Sequence, residues 1–145
     1  MVKVTIDGIT TEVREGTTIL EAAESIGIRI PRLCYFKEIN EVAACRVCVV
    51  EVEGANRLLA SCNTVCDDGM VIKTNSRRVR NARRNNVKLI LTRHNTSCTS
   101  CIRDGSCALQ DITKEFNITS QIVEDPKESF KWDLNEPLIR DNSKC

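Results

Sequence analysis

The sequence predicts an α+β chain in two consecutive parts. Three observations predict it. The first thirty residues read strand, strand, helix; short β-branched segments follow between residues 47 and 74; and helical spacing takes over from Ser76. Nine cysteines run through the 145 residues, most of them in two close-set groups.

Each element has a local reason. "VKVTI" at 2–6 and "TTEV" at 10–13 alternate as strands, and Asp7-Gly8 between them is a strong tight-hairpin signal. "TILEAAESIG" puts Leu20, Ala23 and Ile26 on one helical face. Thr18 and Glu21 form a capping-box pattern at its start, and Gly27 suits its end. Pro31 turns the chain into a long loop that reaches Arg46. "VCVVEVEG" is a β-branched strand closed by Gly54 to Asn56, with "RLLASC" as a hairpin partner and "GMVIKT" at 69–74 as a further short strand. From Ser76 to Arg93 the spacing predicts a helix. Its apolar side is Val79, Ala82, Val87, Leu89 and Ile90, set against Arg77, Arg78, Arg80, Arg83, Arg84 and Lys88. A second helix is predicted in "CALQDITKEFN". The tail from about Asn117, with Pro126 and Pro137, reads as a linker, and no internal repeat is visible.

Composition narrows the function. Charged residues make up 28% of the chain and nearly cancel at net +1, so no dominant field draws it to nucleic acid or membrane. No apolar run approaches the roughly 18 residues of a membrane span, and "MVKVTIDGIT" does not read as a signal peptide, so a cytoplasmic location is expected. An odd number of cysteines in a reducing compartment argues for metal ligation or redox chemistry rather than disulfides. Aromatics are only 3%, and a core so poor in large side chains gains from bound metal.

Cys34, Cys45, Cys48 and Cys62 have the spacing C-x10-C-x2-C-x13-C. Cys45 and Cys48 can grip one iron from a single turn, with Cys34 arriving from a loop and Cys62 from a strand end. Plant-type ferredoxins hold a 2Fe–2S cluster with a related order whose first loop is shorter. The small residues Ala43 and Ala44 let backbone N–H groups approach the sulfides. Zinc ribbons, by contrast, usually use two C-x2-C pairs, and only one is present in this segment.

His94-x3-Cys98-x2-Cys101-x5-Cys107 supplies four more ligands within fourteen residues, including the sole histidine. Tetrahedral zinc accepts such a set, and so does a 4Fe–4S cluster with one imidazole in place of a thiolate. The plainer reading is a histidine at the end of a basic helix, favoured there by the helix dipole.

"PRLCYFKEINEVAACRVC" resembles the signature of an N-terminal 2Fe–2S domain shared by a group of redox enzymes. They are the large iron–sulfur subunit of NADH-quinone oxidoreductase, the FeFe hydrogenases and certain NAD-linked formate dehydrogenases. The shared residues are Pro31, Cys34, Tyr35, Cys45, Arg46 and Cys48; where this chain has Ala43 the family usually has glycine. "CTSCIRDGSCALQ" is similar to the group's second signature at Cys98, Cys101, Gly105, Cys107, Leu109 and Gln110. It departs from the quinone-reductase form at Thr99, Ile102 and Asp104, toward the hydrogenase and formate dehydrogenase branches.

The resemblance implies a β-grasp 2Fe–2S ferredoxin-like domain over residues 1–77. A small helical domain over 78–118 would hold a 4Fe–4S cluster on His94, Cys98, Cys101 and Cys107, followed by a linker over 119–145. It also implies that Cys145, in "RDNSKC", is a first ligand of a further 4Fe–4S cluster, in wording closest to the hydrogenase branch. The implied function is single-electron relay in a NAD(P)-linked FeFe hydrogenase, with formate dehydrogenase or NADH-quinone oxidoreductase as alternatives. The implied partners are a flavin-containing NAD(P)H-binding subunit, a small 2Fe–2S subunit and a ferredoxin. The segment itself is expected to be non-catalytic.

Two features remain. Cys66, four residues after Cys62, is expected to be a non-ligand thiol. "RRVRNARR" invites a nucleic-acid reading, with two zinc sites beside it, but it lacks interleaved aromatics; a solvated helix face that offsets cluster charge is expected instead.

Overall fold

In this computed structural model, residues 1–119 are described; Cys145 and the greater part of the expected linker lie outside them. The chain divides into compact units at 1–86 and 87–145.

In the first unit, β1 (Val2–Ile6) and β2 (Ile9–Val13) pair antiparallel, with Val2 opposite Val13 and Ile6 opposite Ile9. Their two-residue turn needs two positive φ angles, which Asp7 (49°) and Gly8 (87°) provide. The Asp7 carboxylate accepts the N–H of Thr74 at 2.7 Å and also its hydroxyl. That anchors the hairpin to the residue after β5 (Val71–Lys73).

α1 (Ile19–Ser25) opens on a complete capping box. The Glu21 N–H donates to Thr18 Oγ1 at 3.3 Å, and the Thr18 N–H donates to Glu21 Oε2 at 3.2 Å. Its Ile19, Leu20, Ala22 and Ala23 are buried in one core with Val4, Ile6, Val50 and Ile72. At roughly 1.5–3 kcal/mol for each large aliphatic side chain, this burial outweighs any helix propensity of so short a segment.

β3 (Val49–Val52) and β4 (Leu59–Ala60) complete a sheet of order β2-β1-β5-β3-β4. Its β1–β5 pair is parallel and the others are antiparallel. The result is the α+β, ferredoxin-like arrangement that the sequence predicts. β3 begins later than its apolar run because Val47 and Cys48 belong to the turn that leaves the cysteine loop.

α2 (Arg77–Arg93) starts where the Ser76 hydroxyl accepts the Val79 N–H at 3.2 Å. Its buried stripe differs from the predicted one. Leu89 is 63% exposed, whereas Arg83 is only 5% exposed. Val79, Arg83 and Val87 recur every four residues, so burying the two valines carries the arginine in with them.

In the second unit the described residues form the end of α2, a 3₁₀ turn at Cys98–Ser100 and α3 (Ala108–Glu115). Among the described residues, no helix is long and apolar enough to cross a membrane.

Candidate metal centres

The loop between Cys34 and Cys48 gives the first site its shape. Ala43 and Arg46 both lie in the left-handed region, at φ 53° and 52°. Such reversals turn backbone N–H groups toward a common side, where they can face an anion. Here they face sulfur. The Cys45 N–H reaches Cys34 Sγ at 3.5 Å, and the Ala44 N–H acts on the same sulfur. The N–H groups of Val47, Cys34 and Leu33 act on the Cys45 sulfur. A left-handed φ at Ala43 is one that glycine adopts at less cost.

Cys48 and Cys62 enter from the sheet side. The Ser61 N–H donates to the Cys48 oxygen at 3.2 Å. The first N–H groups of α1 donate to residues flanking Cys62, Ile19 to the Thr64 oxygen at 2.9 Å and Leu20 to the Ser61 oxygen at 3.0 Å. Cys48 and Cys62 are buried, while Cys34 and Cys45 are half-buried.

Electrostatics ties the four together. Burial pushes the Cys62 thiol up to about 12, and the sulfurs of Cys48, Cys34 and Cys45 add to the rise. Cys34 is also raised, first by burial, against the opposing pull of the Cys45 N–H. Burial pushes Cys45 up as well, but the N–H groups of Val47, Cys34 and Leu33 outweigh it and leave that thiol below its ordinary value.

The sulfurs of Cys34 and Cys45 act on each other, and Cys48 acts on Cys62 more strongly than Cys34 or Cys45 does. The sheet ladder holds the Cys48 backbone beside Ser61, next to Cys62 in the chain.

This donor set fits a dinuclear centre in which each iron takes two thiolates. Among the described residues, no three His, Cys, Asp or Glu side chains converge as the donors of a single ion do. The Ser61 hydroxyl is fully buried without a hydrogen-bond partner, which costs about 1–3 kcal/mol unless an acceptor is supplied. An acceptor brought in beside Cys62 by a bound group would relieve that cost.

Cys66 lies in the α1 core, its N–H bonded to the Thr17 oxygen at 2.9 Å. Its thiol is raised by burial first, then by Asp67 and Glu21.

The second site is a cavity of about 400 Å³ in the second unit, and His94, Cys98, Cys101 and Cys107 all line it. His94 follows α2 directly, its N–H closing a turn on the Leu91 oxygen at 3.3 Å. An Asn95 side chain accepts the Ser97 N–H at 3.0 Å and leads into the 3₁₀ turn that begins at Cys98. The Cys101 N–H closes that turn on the Cys98 oxygen at 2.9 Å. Gln110 braces the next loop, accepting the Gly105 N–H at 3.2 Å and donating to Asp104 Oδ1 at 2.8 Å. Cys107 is the N-cap of α3, yet its side chain makes no capping bond. The thiol is therefore not taken up in capping α3. Three thiols and an imidazole spread around a cavity fit a polynuclear cluster better than one ion.

Sequence reasoning does not single out Ser61, Arg83 or Asn86. Arg83 donates through Nε and Nη2 to the Val49 oxygen, and Asn86 Nδ2 donates to the Arg46 oxygen at 2.6 Å. The one available signal is the four-residue spacing of Val79, Arg83 and Val87.

Residues 1–77 match the family described as 2Fe-2S iron-sulfur cluster binding domain. Residues 83–121 match the NADH-ubiquinone oxidoreductase-G iron-sulfur binding region. The NADP-reducing hydrogenase subunit HndD of Solidesulfovibrio fructosivorans is 45% identical, over 100% of this chain and 26% of that protein. The NADH-ubiquinone oxidoreductase 75 kDa subunit of Reclinomonas americana is 42% identical, over 78% of this chain and 16% of its own length. The NADPH-Fe(3+) oxidoreductase subunit alpha of Geobacter sulfurreducens is 38% identical, over 94% and 17%. The chain thus spans about a quarter or less of these relatives. Among solved structures, a NAD+-reducing [NiFe]-hydrogenase in the H2-reduced state superposes with a TM-score of 0.83 at 29% identity, over 94% of this chain and 57% of that one. With paired thiols on a ferredoxin-like sheet and that family matched over residues 1–77, the chain belongs to the 2Fe-2S iron–sulfur cluster binding domain family, followed by an iron–sulfur binding region of the NADH-ubiquinone oxidoreductase-G type.

Proposed function

We propose that this chain relays single electrons through two centres. A 2Fe–2S cluster is held by Cys34, Cys45, Cys48 and Cys62, and a 4Fe–4S cluster by His94, Cys98, Cys101 and Cys107. The observation that carries this reading is the company these residues keep. The first four sulfurs act on one another, and the second four side chains share one cavity.

When bound, such clusters take up and release one electron at a time. The chain's own part is to bind and tune. Backbone N–H groups at Cys34 and Cys45 favour negative sulfur, and burial of Cys48 and Cys62 limits access of water. A neutral imidazole at His94 leaves its centre less anionic than four thiolates would.

Electrons enter, on this reading, from a flavin-bearing NAD(P)H-oxidising subunit and leave for a catalytic site elsewhere in a cytoplasmic multisubunit enzyme. A small 2Fe–2S subunit and a ferredoxin are further partners. Phe36, Ile39 and Val42 are exposed on the loop that joins Cys34 to Cys45, an apolar surface for such a subunit. The identity to an NADP-reducing hydrogenase subunit across the whole chain favours an NAD(P)-linked FeFe hydrogenase as the host. A quinone reductase or formate dehydrogenase uses the same module.

The test is direct. Protein purified without oxygen should be brown, carry iron and labile sulfide for both clusters, bleach on reduction and show two distinct paramagnetic centres. A colourless protein containing zinc and no sulfide would refute the proposal.

A further inference from the structure

We propose that Asn86 is a positioning residue for the first centre: by holding the Arg46 carbonyl, it fixes the peptide that presents the Val47 N–H to the Cys45 sulfur, and so keeps the cluster's reduction potential up. The inference rests on the ligand assignment above.

The geometry begins with a planar trans peptide, whose C=O and N–H point in opposite directions. Residues 46 and 47 share one such plane. Asn86 Nδ2 donates to the Arg46 oxygen at 2.6 Å, on one side of it. The N–H of the same peptide is thereby turned to the other side, where the Val47 N–H acts on the Cys45 sulfur.

This peptide needs an external hold. Arg46 sits at φ 52°, a conformation that residues with a side chain seldom adopt unless their surroundings impose it. The hold comes from a rigid element, since Asn86 lies on α2 three residues after Arg83, whose fork is closed on the Val49 oxygen. The loop is therefore braced by α2 on either side of Cys48, at residues 46 and 49.

The functional consequence follows from charge. Reduction adds an electron to the cluster, and N–H groups that bond its sulfurs stabilise the more negative state. Releasing the 46–47 peptide weakens one of those bonds and lowers the potential. A residue that merely glued helix to loop would change stability and leave the potential of a loaded cluster alone.

The experiment is a redox titration of the full chain, followed by paramagnetic resonance, in wild type, Asn86→Ala, Asn86→Gln and Cys45→Ser. The expected result is a more negative 2Fe–2S midpoint in Asn86→Ala at wild-type iron and sulfide content, with the 4Fe–4S midpoint unchanged. Asn86→Gln, which keeps an amide donor, should recover part of the shift. Should Asn86→Ala not load its cluster, Asn86→Asp takes its place, because it keeps the volume and loses the donor. Any donor-free variant that loads with the wild-type midpoint overturns the proposal. Loss of loading in both, with helix content retained, would mark Asn86 as a structural prop and also overturn it. Cys45→Ser separates the two levels. If it leaves the 2Fe–2S signal unchanged, the ligand assignment has failed; if it alters the signal while Asn86→Ala does not, only the role of Asn86 has failed.

Discussion

Arg83 closes its guanidinium fork on a single carbonyl, with Nε 3.1 Å and Nη2 2.8 Å from the Val49 oxygen, and does so while 5% exposed. A charged donor buried this way is worth keeping only while its acceptor stays in place. Arg83→Ala should destabilise the first unit by about 2–3 kcal/mol, through loss of charge-assisted bonds and a carbonyl left without its donor. Arg83→Lys should recover little, because an ammonium cannot reproduce the fork. Urea unfolding followed by circular dichroism reads both; a midpoint within error of wild type for the alanine variant would contradict this account.

The thiols should separate by role. Serine at Cys34, Cys45, Cys48 or Cys62 should remove or alter the 2Fe–2S spectrum. Cys66→Ala should leave both clusters loaded and cost about 1 kcal/mol of packing, since that thiol belongs to the α1 core. Without iron, the raised Cys62 thiol implies a pH dependence. The folded chain keeps a proton that the unfolded chain releases near 9.0, so this contribution to apo stability is intact below that value and is lost as pH rises toward about 12. Loading iron near pH 8 should correspondingly release protons, measurable in a pH-stat.

His94→Cys exchanges a neutral ligand for an anionic one. The midpoint of the 4Fe–4S centre should fall while that of the 2Fe–2S centre stays in place, by the same logic that lifts the potential of histidine-ligated Rieske centres. A redox titration indistinguishable from wild type, with the cluster present, would remove His94 from the ligand set.

Acid should reach α1 through Glu21. Its carboxyl is held below the ordinary value of 4.5, chiefly by the bond from Lys37, whose ammonium lies 2.9 Å away, and then by the Thr18 N–H. A depressed carboxyl stabilises the fold above its unfolded value, and the contribution is lost as pH falls through the folded one. Glu21→Gln should flatten the acid limb of the stability curve. Thr18→Ala should cost about 1 kcal/mol at neutral pH. The Lys37 pair is largely exposed and adds little by itself. Thermal melts between pH 3 and pH 7, an illustrative range of about four units around the carboxylate region, would show either effect.

What the sequence makes legible here is what is local. Asp7-Gly8 must form the hairpin because both residues accept positive φ, and Thr18 with Glu21 must cap α1 because the two bonds close within one turn. His94 and the three thiols after it stand out for the same reason, being crowded into fourteen residues. The pairing of Cys48 with Cys62 is different, since it depends on the Ser61–Cys48 bond across the sheet. Arg83 is hidden more deeply still. In a row of arginines, only the four-residue step from Val79 to Val87 marks Arg83 for burial, the carbonyl that receives it lies far off in sequence, and Leu89 is exposed where amphipathic spacing alone would cover it.

The place where α2 begins has a practical consequence for dissecting the molecule. A fragment cut after residue 77 would contain every thiol of the first group and every strand among the described residues, and would look like a complete small ferredoxin. It would also leave the carbonyls of Arg46 and Val49 without the side chains that grip them. A minimal unit that keeps both carbonyls gripped has to carry the first turns of that helix as an exported strut, ending no earlier than Asn86.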